Sequence, residues 1–236
     1  AERASGLLGL WPSPWQWAEA YHEGLGEALP LHEHATLEQR WPVVAEGVQK
    51  LQGLTLPVFQ KEWLESKQKG YRPKDHPEGL HLQGSWQVLY VWEHSTCKQD
   101  RFPESCAALK DFDKALRSQN LGHVQEARFS TLYPRTKVAT HTATSNQRLK
   151  VHCGIENPGG VQLRIANLTY EWQAGECIVL DDSFEHDIAS SGSQKARTIL
   201  EIKVEHPDLR RSGYALDEET GRLGRFNPAR RRDAEL

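Results

Sequence analysis

Apolar residues recur at helical spacing along RWPVVAEGVQKLQGL, residues 40 to 54, and again behind the Pro and Ser of FPESCAALKDFDKAL, residues 102 to 116, so both segments predict helices. Between them GSWQVLYVWEH, residues 84 to 94, is rich in β-branched and aromatic side chains and predicts a strand. From Glu126 onward the pattern changes. EARFSTLY, RLKVHCGIE, VQLRIAN, LTYEW, ECIVLDD, EHDIAS and ARTILEIKV are short apolar or alternating runs, separated by Pro, Gly, Asn and Asp turn residues. That rhythm predicts a mainly β fold, an all-β sandwich or barrel, and the architecture expected here is a double-sheet jelly roll (a double-stranded β-helix, cupin-like) carrying an N-terminal helical supporting layer. The expected organisation is a helical and irregular supporting region over residues 1–83, a jelly-roll core over 84–210 and an Arg-rich C-terminal tail over 211–236. In that tail Arg230, Arg231 and Arg232 read as solvated surface rather than a docking patch.

Composition narrows the partners. With 236 residues, 38% of them hydrophobic and 26% charged, the chain can bury a core and suits one functional unit, read here as a monomer. A net charge of -3 and a pI near 6.4 provide no general positive field for nucleic acid, so a peptide, protein or small-molecule partner fits better. No run approaches the roughly 18 to 20 apolar residues of a membrane-spanning helix. The chain opens without Met and contains none, the pattern of a processed or excised domain whose anchor or signal has been removed. Cys97 and Cys106, in CKQDRFPESC, either close a small disulfide loop or remain free thiols in a reducing compartment. Cys153 and Cys177 lie in strand-like apolar runs and are expected as separate buried thiols.

Most of the eleven histidines sit in polar, turn-like contexts that predict surface positions, and the His32 and His34 pair lacks a third ligand nearby. His141 and His186 differ. Each stands at the edge of a predicted strand with four short strands between them, a spacing that can return the chain to the same barrel mouth. Two imidazoles with open positions beside them suit ferrous iron. Alternation in RLKVHCGI puts Arg148, Lys150 and His152 on one face, which is either the barrel interior or an outer solvated face. Arg197 opens the last predicted strand with a guanidinium able to hold a carboxylate bidentately.

The segments FSTLYPRTKVATH, HTATSNQRLKVHCGI, VLDDSFEHDI and ARTILEIKVEHPDL together resemble the aspartyl/asparaginyl β-hydroxylases, over roughly residues 84 to 210. The resemblance implies that His141 and His186 hold Fe(II) without a carboxylate, since Ala143 stands where a His-x-Asp ligand would be. It implies that Asp182 hydrogen-bonds the water completing the metal's shell. Ser130, His152 and Arg197 then correspond to contacts of the 2-oxoglutarate cosubstrate, while Arg148 and Lys150 lie between cosubstrate and substrate carboxylates. Lys150 replaces an arginine of the family pattern, a point charge in place of a planar fork. Cys97 and Cys106 match in order a cysteine pair that forms a disulfide in members from the endoplasmic reticulum. The implied location is that lumen, or a membrane-anchored luminal domain, if the pair is oxidised, and the cytoplasm if it is not. Asn167-Leu168-Thr169 is a glycosylation sequon that permits the first.

The implied activity is that of an Fe(II)- and 2-oxoglutarate-dependent dioxygenase, coupling decarboxylation of 2-oxoglutarate by O2 to hydroxylation of an aspartyl or asparaginyl β-carbon. Within the same chemistry a small molecule or a lipid acyl chain is an alternative substrate. A non-catalytic jelly-roll module binding an anionic ligand is the rival from another class. With Arg148, Lys150 and His152 all facing the barrel mouth, one cation is expected to be spare, favouring Asp over Asn at the reacting position.

Overall fold

The computed structural model describes residues 13–16, 20–190 and 194–226, so Arg230, Arg231 and Arg232 lie outside the described residues. A short strand, β1 (Leu31–His32), precedes α1 (His34–Arg40), α2 (Pro42–Leu54), a π-helical turn (Thr55–Gln60) and α3 (Lys61–Gln68). Pro42 occupies the first turn of α2, where its missing N–H is no loss, and Val44, Ala45, Val48 and Leu51 are buried along that helix. Short strands β2 (Lys74–Asp75) and β3 (His81–Gln83) follow, then the long β4 (Trp86–Glu93), β5 (Thr96–Cys97) and α4 (Pro103–Ser118). Glu62 on α3 caps α4. Its carboxylate accepts the backbone N–H groups of Glu104 and Ser105 at 2.8 and 2.9 Å, satisfying donors that a helix start leaves open. Helices α2 and α4 approach closely because residue 47 is glycine, where a Cβ would stand 2.4 Å from the Phe112 ring.

Eight strands then build the core: β6 (Val124–Leu132), β7 (Lys137–His141), β8 (Arg148–Glu156), β9 (Val161–Ile165), β10 (Leu168–Glu171), β11 (Cys177–Leu180), β12 (His186–Ser190) and β13 (Arg197–Glu205). They divide between two antiparallel sheets, in the order β11-β8-β13-β6 in one and β10-β9-β12-β7 in the other. This is the expected double-stranded β-helix. Strands β1, β4 and β2 extend the first sheet and β3 the second, so residues before 84 supply strands as well as helices. A hairpin of β14 (Tyr214–Leu216) and β15 (Leu223–Arg225) follows the core, and Leu216 packs with Leu25 and Leu209. Among the described residues no helix is long and apolar enough to cross a membrane.

Side-chain alternation splits the first sheet into two unlike faces. Phe129, Leu149, Val151, Leu200 and Ile202 face outward and pack on Val48, Phe59, Trp63 and Leu109 of the helical layer. At about 1.5–3 kcal/mol for each fully buried large apolar side chain, this contact holds the layer in place. The inner face meets the second sheet through a smaller cluster containing Trp86, Leu132, Val138, Leu163, Ile165 and Ile199.

Two expectations are corrected here. Cys153 and Cys177 are not separate thiols: they stand directly opposite on β8 and β11, with Cα atoms 4.1 Å apart, and are joined as a disulfide. Register explains it, since a pair that faces the same side at one register position brings two sulfurs together. Cys97 and Cys106 form a second disulfide. Surface placement also fails for four histidines outside the site, because His32, His76, His123 and His206 are all buried. Thiol titration of the unreduced, denatured protein is expected to find no free cysteine. Replacing Cys153 and Cys177 together by Ala is expected to lower the unfolding free energy by about 3 kcal/mol, the loop-closure value for a bridge of this span. Equal urea midpoints for the two oxidised proteins would contradict the Cys153–Cys177 bridge.

Candidate active site

Strand β13 presents Arg197, Ile199, Glu201 and Lys203 to the barrel interior with period two. In register, Ile199 faces Ser130 and Glu201 faces Arg128 on β6, while Glu201 also faces His152 and Lys203 faces Lys150 on β8. The alternative between interior and solvated face is thereby resolved: Lys150 and His152 are buried and Arg148 is half-buried at the mouth.

His141 ends β7 and His186 begins β12, paired directly across the second sheet, with ring centroids 4.1 Å apart. The Nδ1 of His186 lies 2.8 Å from the Phe184 carbonyl, and that of His141 lies 2.7 Å from the Ala139 carbonyl. A carbonyl can only accept, so each Nδ1 carries its proton and Nε2 is the nitrogen whose lone pair could bind a metal. Burial, reinforced by His141, pushes the His186 imidazole down to about 4, which keeps it neutral. Among the described residues no group of three or more His, Cys, Asp or Glu is placed to hold a metal ion, so a metal here would rest on this pair.

The DDSF turn sets His186 and Asp182 in place. Asp181 accepts the backbone N–H and the hydroxyl of Ser183 at 2.9 and 2.6 Å, and the Asp182 carbonyl accepts Ala143 N–H at 2.7 Å, tying this turn to the loop after His141. From outside, Gln16 Nε2 donates to Ser183 Oγ at 2.7 Å and Glu185 N–H donates to the Trp15 carbonyl. Residues 13–16 thus act as a strap over the turn.

Deeper in the barrel, Arg197 is 1% exposed, its guanidinium lies 4.0 Å over the Trp172 ring, and none of its three nitrogens has a hydrogen-bond partner. Burial pushes this guanidinium down to about 9. An enclosed guanidinium without a partner fits an anionic carboxylate entering from outside the chain. His152 shares the Trp172 neighbourhood, 6.0 Å between centroids, with neither ring nitrogen hydrogen-bonded, and burial pushes it down to about 3. Ser130 Oγ accepts the Trp86 indole N–H at 2.9 Å, leaving its own proton to donate.

The charges nearer the mouth are paired. Lys150 Nζ lies 2.8 Å from Asp182 Oδ2 and 3.7 Å from Glu201 Oε1, and Arg128 Nη2 donates to Glu201 Oε1 at 2.8 Å. Glu126 joins Arg128 at 3.1 Å and Lys203 at 3.4 Å. Burial would raise the Glu201 carboxyl, but Arg128 and Lys150 outweigh it and hold it well below the carboxylate range. Asp182 behaves alike: burial raises it, and Lys150 pulls it below its ordinary value. Lys150 is therefore not a spare cation, being engaged by two carboxylates, whereas Arg148, at the rim of the same cleft, is held by Gln125 and the Gly221 carbonyl and by no carboxylate among the described residues. A cleft of about 330 Å³ opens over this network, lined among others by Glu78, His141, Arg148, Lys150, Asp182 and Lys203. That size accommodates a side chain and a small cosubstrate.

Sequence reasoning named Arg197, His152, Lys150 and Asp182 but passed over Glu201, Arg128, Lys203 and Trp172. Glu201 and Lys203 share the period-two phase of Arg197 and were open to the argument applied to RLKVHCGI.

A family model described as aspartyl/asparaginyl beta-hydroxylase matches residues 38–207. An aspartyl/asparaginyl beta-hydroxylase of Mus musculus is 30% identical over 165 residues, covering 64% of this chain and 21% of the relative. Its Homo sapiens counterpart is 29% identical over 181 residues, covering 74% and 21%. The chain thus spans about a fifth of the length of these curated relatives. Among solved structures, a Pseudomonas putida prolyl-4-hydroxylase aligns with a TM-score of 0.46 at 15% identity, covering 69% of this chain and 98% of that one.

A buried charge with nothing to pair it costs stability. Arg197→Met is accordingly expected to raise the unfolding free energy of the ligand-free protein, on the order of 1 kcal/mol after loss of the contact with Trp172. Denaturant melts of the two proteins check this, and a destabilised Met variant would show that Arg197 is compensated within the chain.

Proposed function

Because this chain belongs to the aspartyl/asparaginyl β-hydroxylase family, we propose that it is an Fe(II)- and 2-oxoglutarate-dependent dioxygenase hydroxylating the β-carbon of an aspartyl or asparaginyl residue in a peptide or protein. The observation that carries the reading is the pairing of two features: the imidazoles of His141 and His186 side by side at one barrel mouth, and the enclosed guanidinium of Arg197, whose nitrogens have no hydrogen-bond partner. A two-nitrogen metal site needs an anionic co-ligand, and a buried guanidinium needs a carboxylate. One dicarboxylate meets both needs.

His141 and His186 would hold Fe(II) through Nε2, their rings fixed by the carbonyls of Ala139 and Phe184. The iron, when bound, supplies the redox chemistry by which 2-oxoglutarate and O2 yield succinate, carbon dioxide and a hydroxylated C–H bond. Arg197 would grip the distal carboxylate, with the Ser130 hydroxyl and the neutral His152 ring donating beside it. Trp172 and Trp86 keep water away from that end, which strengthens each charge-assisted bond. Asp182, itself held by Lys150, would accept a hydrogen bond from the water completing the metal's shell. Arg148, at the mouth, donates to Gln125 and the Gly221 carbonyl, and it would meet the substrate as it enters.

His141→Ala or His186→Ala is expected to abolish iron-dependent succinate formation in a folded protein. Arg197→Ala is expected to raise the 2-oxoglutarate requirement roughly tenfold to over a hundredfold, the equivalent of about 1.5–3 kcal/mol for a bond to a charged group. Initial rates across a 2-oxoglutarate series measure both. Undiminished turnover in either His variant would remove the two-histidine site, and an unchanged requirement would place the cosubstrate elsewhere.

A further inference from the structure

Charge at the barrel mouth balances, because Arg148 and Glu78 both line the cleft and the ion-paired network beside them is neutral. Arg128, Lys150 and Lys203 interlock with Glu126, Asp182 and Glu201, three cations against three carboxylates. Glu201 is 3% exposed and stands at the centre, reached by Arg128 at 2.8 Å, Lys150 at 3.7 Å and His152 at 3.8 Å. Its side chain projects from β13 toward the same interior as Arg197, between the cosubstrate end and the cleft. Arg148 and Arg197 form no ion pair with a carboxylate among the described residues, but Arg197 is enclosed beside Trp172 and Arg148 stands at the rim, against Gln125 and Gly221.

We propose that Glu201 is a specificity-determining residue that neutralises the interior cations, so that the site takes a neutral, amide-bearing side chain at the reacting position and disfavours a carboxylate. The inference rests on the proposed peptide hydroxylation and narrows it to asparaginyl over aspartyl residues. A substrate carboxylate entering beside Lys150 would meet a cation already held by Asp182 and Glu201, and would add an uncompensated negative charge to a desolvated network. An amide adds none, and it can donate to Glu201 or Asp182 while accepting from Lys150. Electroneutrality at the mouth thus acts as a filter on the substrate's charge.

Two measurements test the proposal. In the first, acetate and acetamide stand in for the two reacting groups and are added at matched ionic strength to the Arg197→Gln protein, which lacks the partnerless guanidinium. Melting temperatures are expected to be equal in the two additives, whereas adding Glu201→Gln is expected to make acetate stabilise over acetamide by about 2 to 4 °C. Stabilisation by acetate while Glu201 is still present would overturn the proposal. Because no metal, cosubstrate or turnover is involved, that failure is distinct from failure of the proposed function. In the second, matched peptides differing only in Asn or Asp at the reacting position are compared at low concentration. The wild-type protein is expected to hydroxylate the Asn peptide faster, and Glu201→Gln to move the Asn-to-Asp rate ratio at least tenfold toward Asp. A wild-type preference for Asp, or a ratio that ignores Glu201→Gln, would overturn the assignment.

Discussion

Charge cancellation on a buried sheet face is the constraint from which much of this structure follows. An ionised side chain removed from water is costly unless an opposite charge and hydrogen bonds replace what hydration supplied, and removing one partner of a buried pair costs about 3–5 kcal/mol. Strands β6, β8 and β13 each contribute charged groups to one interior, and their antiparallel register sets Arg128 opposite Glu201 and Lys150 opposite Lys203. Slippage of β13 by one residue would turn its charges outward into the helical layer and its apolar set inward. The network therefore specifies the register as well as tolerating it.

Such an interior is affordable only because the outer face of the same sheet is largely apolar, with the buried Thr131 and Thr198 hydroxyls bonded to each other. Leu200 and Ile202 alternate with Glu201 and Lys203, so one strand supplies core packing and site chemistry at once. Arg197 is the exception to internal balance, and its isolation beside Trp172 has the character of a site prepared for a ligand. The second sheet carries the histidine pair at a separate edge. The histidine pair and the charge network therefore meet across the cleft without sharing a strand, and the Lys150 contact with Asp182 ties the network to the turn that carries His186.

Much of this was legible in the sequence because it is local. Turn spacing predicted β8 at residues 148 to 156, where it lies, and alternation placed Lys150 and His152 on one face. His141 and His186 emerged from their positions at strand edges, and the structure sets them side by side. The roles assigned to Ser130 and Asp182, by contrast, came from family resemblance, since neither residue carries a signal of its own. What escaped was non-local. The two-residue strands β1 and β2 have no periodicity to detect and exist because a sheet edge was free to pair. The Cys153–Cys177 bridge and the Lys150–Glu201 contact depend on which strand lies beside which, and composition says nothing of that. Glu201 was missed because a lone glutamate in an apolar strand looks like a solvated residue until its neighbours are known.

The strap over the DDSF turn bears on the order of assembly. Gln16 bonds to Ser183 and Trp15 to Glu185, and β1 pairs with β11, so an early part of the sequence finds its partners only in a late one. During synthesis, residues 13–16 must wait until nearly the whole barrel has emerged from the ribosome. The wall behind His186 and Asp182 is accordingly among the last parts to close. Contacts of such long sequence separation are also slow to form. Strand β13, which lies between β6 and β8 in the first sheet, is made later still, so a nascent chain can place its helices early but completes neither that sheet nor the surroundings of the histidine pair until almost all of it has emerged.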